Sequence, residues 1–302
     1  MAKAGLLFVG TDDGLVLFSN PNNIGRWLRI GQPFRGQGVR AVWPLADNPL
    51  VVFAAAQGMG LQRSDDGGQR WAPALDEEVG AIAASRTSPE VLYLSTLAGA
   101  LYRSGDAGGS WSPCAVGGWP PANDTRLIVA HADPQTVYLG SGAGQIWASH
   151  DGGASWVSFG EPLPAPLGGL AESHAEPGAL YAVAGGALYR GAAGAQWQAL
   201  PIDRPAAGPL AVLAGRPPAL LLAGEGGIAR SDDDGATWAS APAELEWGGL
   251  VTALVPATYH MDTVFAGSVA GRLATSADRG RSWQAIRQDL PPIGSIAAAR
   301  LT

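Results

Sequence analysis

Short apolar runs recur along the whole chain, separated by turns rich in Gly, Pro, Ser and Asp. The stretch from Val79 to Trp111 shows the pattern once through. Val79 to Ala84 is apolar and predicts a first strand, and Ser88-Pro89 then turns the chain. Val91-Leu92-Tyr93-Leu94 predicts a second strand, Ala98-Gly99-Ala100 a turn, and Leu101-Tyr102-Arg103-Ser104 a third strand. A polar turn leads to a fourth strand at Trp111.

Tryptophan marks the repeat. Trp27, Trp71, Trp111, Trp156, Trp197, Trp238 and Trp283 follow one another at steps of 44, 40, 45, 41, 41 and 45 residues. Four short strands per unit of that length is the blade pattern of β-propellers. Five of the seven tryptophans close one motif, Ser-x-Asp-x-Gly-x-x-Trp. It runs from Ser64 through Asp66 and Gly68 to Trp71, and returns from Ser104, Ser149, Ser231 and Ser276 to Trp111, Trp156, Trp238 and Trp283. Near Trp27 the frame is one residue too long and Pro21 stands for the aspartate. Near Trp197, Gly191-Ala192-Ala193-Gly194 has lost both Ser and Asp.

The motif has a physical logic. A short carboxylate can accept hydrogen bonds from the N–H groups of its own turn. Glycine permits positive φ where the chain reverses. Tryptophan supplies a large apolar plate on the outgoing strand. Asp66, Asp106, Asp151, Asp233 and Asp278 therefore read as structural. The repeated motif resembles the Asp-box, or BNR repeat, of sialidases and related propellers. That resemblance implies boxes between the third and fourth strands, on the face away from any active site.

The ends complete the count. The first unit begins with second-strand residues, Leu6 to Gly10, and lacks a first strand. The missing strand is at the other terminus, Ser295 to Ala299. The expectation is one all-β domain spanning residues 1–302. It is a seven-bladed propeller of four-stranded antiparallel blades, one of them closed by pairing of the N- and C-terminal strands, which removes open sheet edges.

Composition agrees. Of 302 residues, 47% are hydrophobic and only 15% charged, and 43 are glycine, which suits strands and tight turns rather than disorder. With 19 basic and 26 acidic residues the net charge is −7, poorly suited to a phosphate backbone, so no nucleic-acid partner is expected. Lys3 is the only lysine. No apolar run is long enough to span a membrane, and no signal peptide opens the sequence, so a cytoplasmic monomer is expected. The single cysteine, Cys114, allows neither an internal disulfide nor a cysteine zinc site.

The chemistry must then lie in the loops. In the resembled propellers, ligands sit over the central channel, on the face formed by second-to-third strand turns and blade-to-blade loops. Those loops here offer Asp12, Arg40, Glu78, Asp124, Arg126, Glu225 and Trp247 as candidate ligand-binding residues. Arg40 is the one charged residue among the roughly equivalent positions Arg40, Gly80, Thr125, Gly168, Pro209, Thr252 and Ser295. Arginines, carboxylates and an aromatic platform could hold a small anionic or sugar-like ligand. The alternative for such residues is solvated loop charge and packing. Of the other tryptophans, Trp43 and Trp147 fall on strands, and Trp119 lies in a loop like Trp247. His131, His174 and His260 follow first strands and His150 lies within a box. Their spacing matches no ligand motif, so neither a metal site nor a cofactor is expected.

Two functional classes remain. One is a ligand- or protein-binding scaffold, similar to the seven-bladed photosynthesis-system assembly factors and YVTN-like proteins. The other is a glycoside hydrolase-like or other enzyme of the sialidase-like group, using two of the carboxylates across a glycosidic bond. Sialidases carry an Arg-Ile-Pro motif and normally six blades. This chain has no Arg-Ile-Pro, and sialidase activity itself is not expected.

Overall fold

The computed structural model describes residues 4–21, 26–115, 126–192, 196–224, 226–240 and 245–301. The fold is a seven-bladed β-propeller of four-stranded antiparallel sheets. Blade 1 runs Ile293–Leu301, Ala4–Thr11, Gly14–Pro21, Leu28–Gly31. Blade 2 runs Val39–Pro44, Val52–Ala56, Gly60–Ser64, Ala72–Leu75, and blade 3 Val79–Ala84, Leu92–Thr96, Leu101–Ser104, Ser112–Pro113. Blade 4 runs Arg126–Val129, Val137–Gly140, Ile146–Ser149, Val157–Ser158, and blade 5 Leu167–Glu172, Ala179–Ala184, Ala187–Ala192, Gln198–Leu200. Blade 6 runs Ala206–Leu213, Ala219–Gly224, Gly227–Ser231, Ala239–Ser240, and blade 7 Val251–Pro256, Val264–Ser268, Leu273–Ser276, Gln284–Arg287. The chain divides into two compact units, residues 1–79 with 241–302, and residues 80–240.

In the first unit the split blade closes as the sequence predicts. Ala4 pairs with Leu301, Phe8 with Ala297 and Gly10 with Ser295. The C-terminal strand is longer than the five apolar residues alone suggest. The middle strands of a blade are buried on both faces, which is why they read as unbroken apolar runs rather than as alternation. Leu7, Val9, Val16 and Phe18 pack with Phe265 and Ile293 on one face of blade 1. Leu6, Phe8, Leu15 and Leu17 pack with Val39, Val42 and Val52 on the other. Each fully buried phenylalanine contributes about 1.5–3 kcal/mol.

The Ser-x-Asp turn is built alike in all five copies. In blade 4 the Ser149 hydroxyl donates to Asp151 Oδ1 at 2.8 Å and accepts the buried Gly153 N–H at 2.8 Å. Asp151 Oδ1 also accepts the Ser155 N–H, and Oδ2 the Ser155 hydroxyl. Gly153 has φ +90, and a Cβ there would lie 2.9 Å from Cys114 Sγ. The Trp156 indole N–H donates back to Gly153 O. These bonds favour the charged carboxylate. The Ser110, Ser155 and Thr237 hydroxyls lead in lowering Asp106, Asp151 and Asp233 to about 2. Burial pushes Asp278 up, but bonds from Ser282 and Ser276 outweigh it and hold it at about 2.

A second device pairs an aromatic on the second strand with an arginine directly opposite on the third. Arg63 lies over Phe53 at 5.6 Å, Arg103 over Tyr93 at 5.9 Å and Arg190 over Tyr181 at 5.9 Å. Each such cation–π contact is worth about 0.5–2 kcal/mol depending on desolvation.

Candidate functional site

In five blades the first strand starts with a bulge. The register skips Arg40 in blade 2, Gly168 in blade 5 and Thr252 in blade 7. In blade 6 residues 207–209 are skipped, which includes Pro209. In blade 1 the skipped residue is Gly294, one before the Ser295 that alignment by second strands suggests. A bulge leaves its residue unpaired and re-aims the side chain. In blades 2, 5, 6 and 7 the equivalence seen in the sequence thus has a backbone cause, and the charged member, Arg40, is exposed.

Near these bulges, side chains brace one blade to the next. In the unit of residues 80–240, the Arg126 guanidinium donates to Gly168 O at 3.3 Å. In the other unit, Thr252 Oγ1 donates to Ile293 O and Ser295 Oγ to Val39 O. Arg126 therefore has a structural task beside any role in binding.

Three candidates of the first unit sit on connected turns. The Asp12 N–H donates to Pro292 O at 3.1 Å. The Asp12 backbone also borders Gly38, whose carbonyl accepts the Gln57 N–H at 2.8 Å. The Glu78 carboxylate accepts the Gly58 N–H at 2.6 Å. Asp12 and Arg40 are exposed, and among the described residues neither side chain has an ion-pair partner. Glu78 is half-buried and already spends one oxygen on the backbone.

Trp247 does not form a platform. It is only 7% exposed, its ring meets Trp283 edge-on at 5.7 Å, and its carbonyl accepts the Ser268 hydroxyl. Its size and aromatic character serve packing. Asp124, Glu225 and Trp119 lie outside the described residues.

The same turns carry apolar side chains that the sequence did not single out. Met59 and Val269 are each 43% exposed and Leu250 37%, and the Val269 N–H donates to Leu250 O. Each leaves much of its apolar surface in water, and a repeat-based reading passes over them because they vary from blade to blade. A groove of about 450 Å³ lined by Arg26, Trp27, Ile286 and Arg287 runs along the outer strands of blades 1 and 7.

Two of the four histidines do come together. His131 and His174, which follow the first strands of blades 4 and 5 and match no ligand spacing, stack with ring centroids 3.8 Å apart. Among the described residues no group of three or more His, Cys, Asp or Glu side chains is arranged to hold a metal ion. No helix of the described residues is long and apolar enough to cross a membrane. Cys114 is half-buried, and burial raises its thiol to about 11, which makes it a poor nucleophile at neutral pH.

No protein-family model matches the chain, and no curated protein matches it. Solved structures do. YCF48 from Cyanidioschyzon merolae aligns with TM-score 0.67 at 14% identity, over 88% of this chain and 90% of that one. YCF48 bound to D1 peptide aligns with TM-score 0.61 at 18% identity, over 82% of this chain and 81% of that one. The Niastella koreensis GH74 enzyme aligns with TM-score 0.65 at 17% identity, over 82% of this chain but 45% of the enzyme. The shared property is the fold. At these identities function does not follow from it.

Proposed function

We propose that this propeller is a non-catalytic scaffold that binds a protein or peptide at the end of its blades formed by the second-to-third strand turns. One observation carries this reading. Exposed Met59, Val269 and Leu250 share that end of the first unit with exposed Asp12 and Arg40. Apolar tips among unpaired charges suit a peptide surface better than a sugar site, which needs convergent polar groups. The likeness to YCF48 bound to D1 peptide supports the same class of partner. The carboxylates offer less for glycoside hydrolysis, since Glu78 is engaged in holding Gly58. We also read the five Ser-x-Asp turns as Asp-boxes of the sialidase-like kind, on their common spacing and hydrogen bonding.

A random-peptide display library selected against the immobilised protein tests this. Affinities of the selected peptides should fall at least tenfold in Arg40→Ala and Met59→Asp. Unchanged affinities in both would place the site elsewhere. Hydrolysis of a chromogenic glycoside panel that is lost in Glu78→Gln would favour the enzyme instead.

A further inference from the structure

The stacked histidines belong to a larger cluster whose origin is the repeat itself. Ser85, Ala130 and Ser173 each close the turn after a first strand with the same backbone bond, to Val91 O, Thr136 O and Ala179 O. The next residue in each case is Arg86, His131 and His174. One repeat position on three successive blades therefore holds an arginine and two imidazoles. The rings of His131 and His174 lie 3.8 Å apart and only 13° from parallel.

Beneath them is Glu172, the last residue of the first strand of blade 5 and only 2% exposed. Its Oε2 accepts the His131 N–H at 2.7 Å and its Oε1 the Gly178 N–H at 3.1 Å. The carboxylate thus ties together the turns of two blades. His131 Nδ1 lies 3.1 Å from the same Oε2. The surroundings are charged as well. Arg86 acts on Glu172 and on both imidazoles. Asp133 and Tyr138 come from blade 4, where Asp133 holds the Thr136 hydroxyl, and Thr136 also meets His150. Glu176, paired with Arg190, lies on the turn of blade 5.

We propose that this stack is an acid-operated latch between blades 4 and 5. With both rings neutral, they pack face to face and the Glu172 carboxylate holds both turns. Further protons give a half-buried cluster excess positive charge beside Arg86, on rings too close to separate their charges. The cluster relieves that repulsion by parting the turns at 131–136 and 173–178.

Burial, then the neighbouring His174 and Arg86, pull His131 down to about 3, and burial with Arg86 pulls His174 down to about 4. Burial raises Glu172, and a carboxyl that takes its proton earlier in the folded chain works the other way, offsetting part of the histidine effect. The sign follows from proton linkage. The unfolded chain takes up two protons near the ordinary histidine value, while the closed latch refuses them. Stability is full above about pH 6.5 and falls as the pH drops toward 4.

The test is urea unfolding from pH 7.5 to 4.5 for wild type, His131→Gln and His174→Gln. Between pH 6 and 5 the wild-type unfolding constant should rise by up to about 100-fold per pH unit, and in each variant by about tenfold less. Equal slopes in all three proteins would overturn the latch. If a variant fails to fold, NMR of wild type with labelled histidine decides. His131 and His174 should remain neutral at pH 5, and amide protection at 131–136 and 173–178 should fall selectively toward pH 4. Ordinary titration of His131 and His174 near pH 6.5, or no selective loss of protection, would refute it.

Discussion

Replacing Ser149 by alanine removes one hydroxyl from a turn that uses it twice. The oxygen accepts the buried Gly153 N–H at 2.8 Å, and its proton goes to Asp151 Oδ1 at 2.8 Å. Alanine fills nearly the same space, so no cavity arises. The loss is the stranded Gly153 N–H, which has no water to turn to because Ser149 is only 1% exposed. A buried donor left without a partner costs about 1–3 kcal/mol. For a chain of this size that is a fall of roughly 1.5–5 °C in melting temperature. Urea denaturation should show a lower midpoint with an unchanged slope. The exposed Ser158, whose hydroxyl meets Gln145 and Gly160 O near the surface, is the control. Its alanine variant should stay within about 0.5 kcal/mol of wild type. A Ser149→Ala variant as stable as the Ser158 control would refute the view that these turns are held by their own hydrogen bonds.

Further expectations concern the closure, the packing and the response to acid. A Cβ at Gly10 would sit 2.5 Å from the Val39 carbonyl, so Gly10→Ala should destabilise by about 1–3 kcal/mol, measured by thermal melting. Trp247→Ala should cost about 3–5 kcal/mol in urea unfolding, as a core tryptophan does, rather than selectively weakening ligand binding. The carboxylates of the Ser-x-Asp turns are held below their unfolded value. Their contribution is therefore full above about pH 4 and is lost between about pH 4 and 2. An acid titration of stability should show this loss as a phase separate from the histidine phase, and one that salt weakens because these aspartates are near the surface.

Much of the fold was legible because it repeats. The tryptophan step and the Ser-x-Asp-x-Gly frame return at fixed intervals, and each has a local cause in turn chemistry. The split blade was legible from a missing strand at one end and a spare one at the other. The site was less so. Arg40 was found because one charge stood among small residues at a position that the structure shows to be a bulge. Trp247 misled, because a loop tryptophan reads the same in sequence whether it faces solvent or meets Trp283. Met59 and Val269 went unnoticed because exposure at a turn tip leaves no pattern. The histidine stack had a signal that went unused. Arg86, His131 and His174 share one repeat position, and equal positions on successive blades are neighbours in space. The Arg63, Arg103 and Arg190 braces could be found the same way, by reading across strands rather than along them.

The most direct measurement for the functional reading is a hydrogen–deuterium exchange footprint of the protein with and without a selected peptide. Protection is expected at the turns around residues 11–14, 37–40, 57–60 and 268–272, with the Ser-x-Asp turns unchanged. Protection confined to those turns at Asp66, Asp106, Asp151, Asp233 and Asp278 would contradict the account, because it would put recognition on the elements assigned here to structure alone.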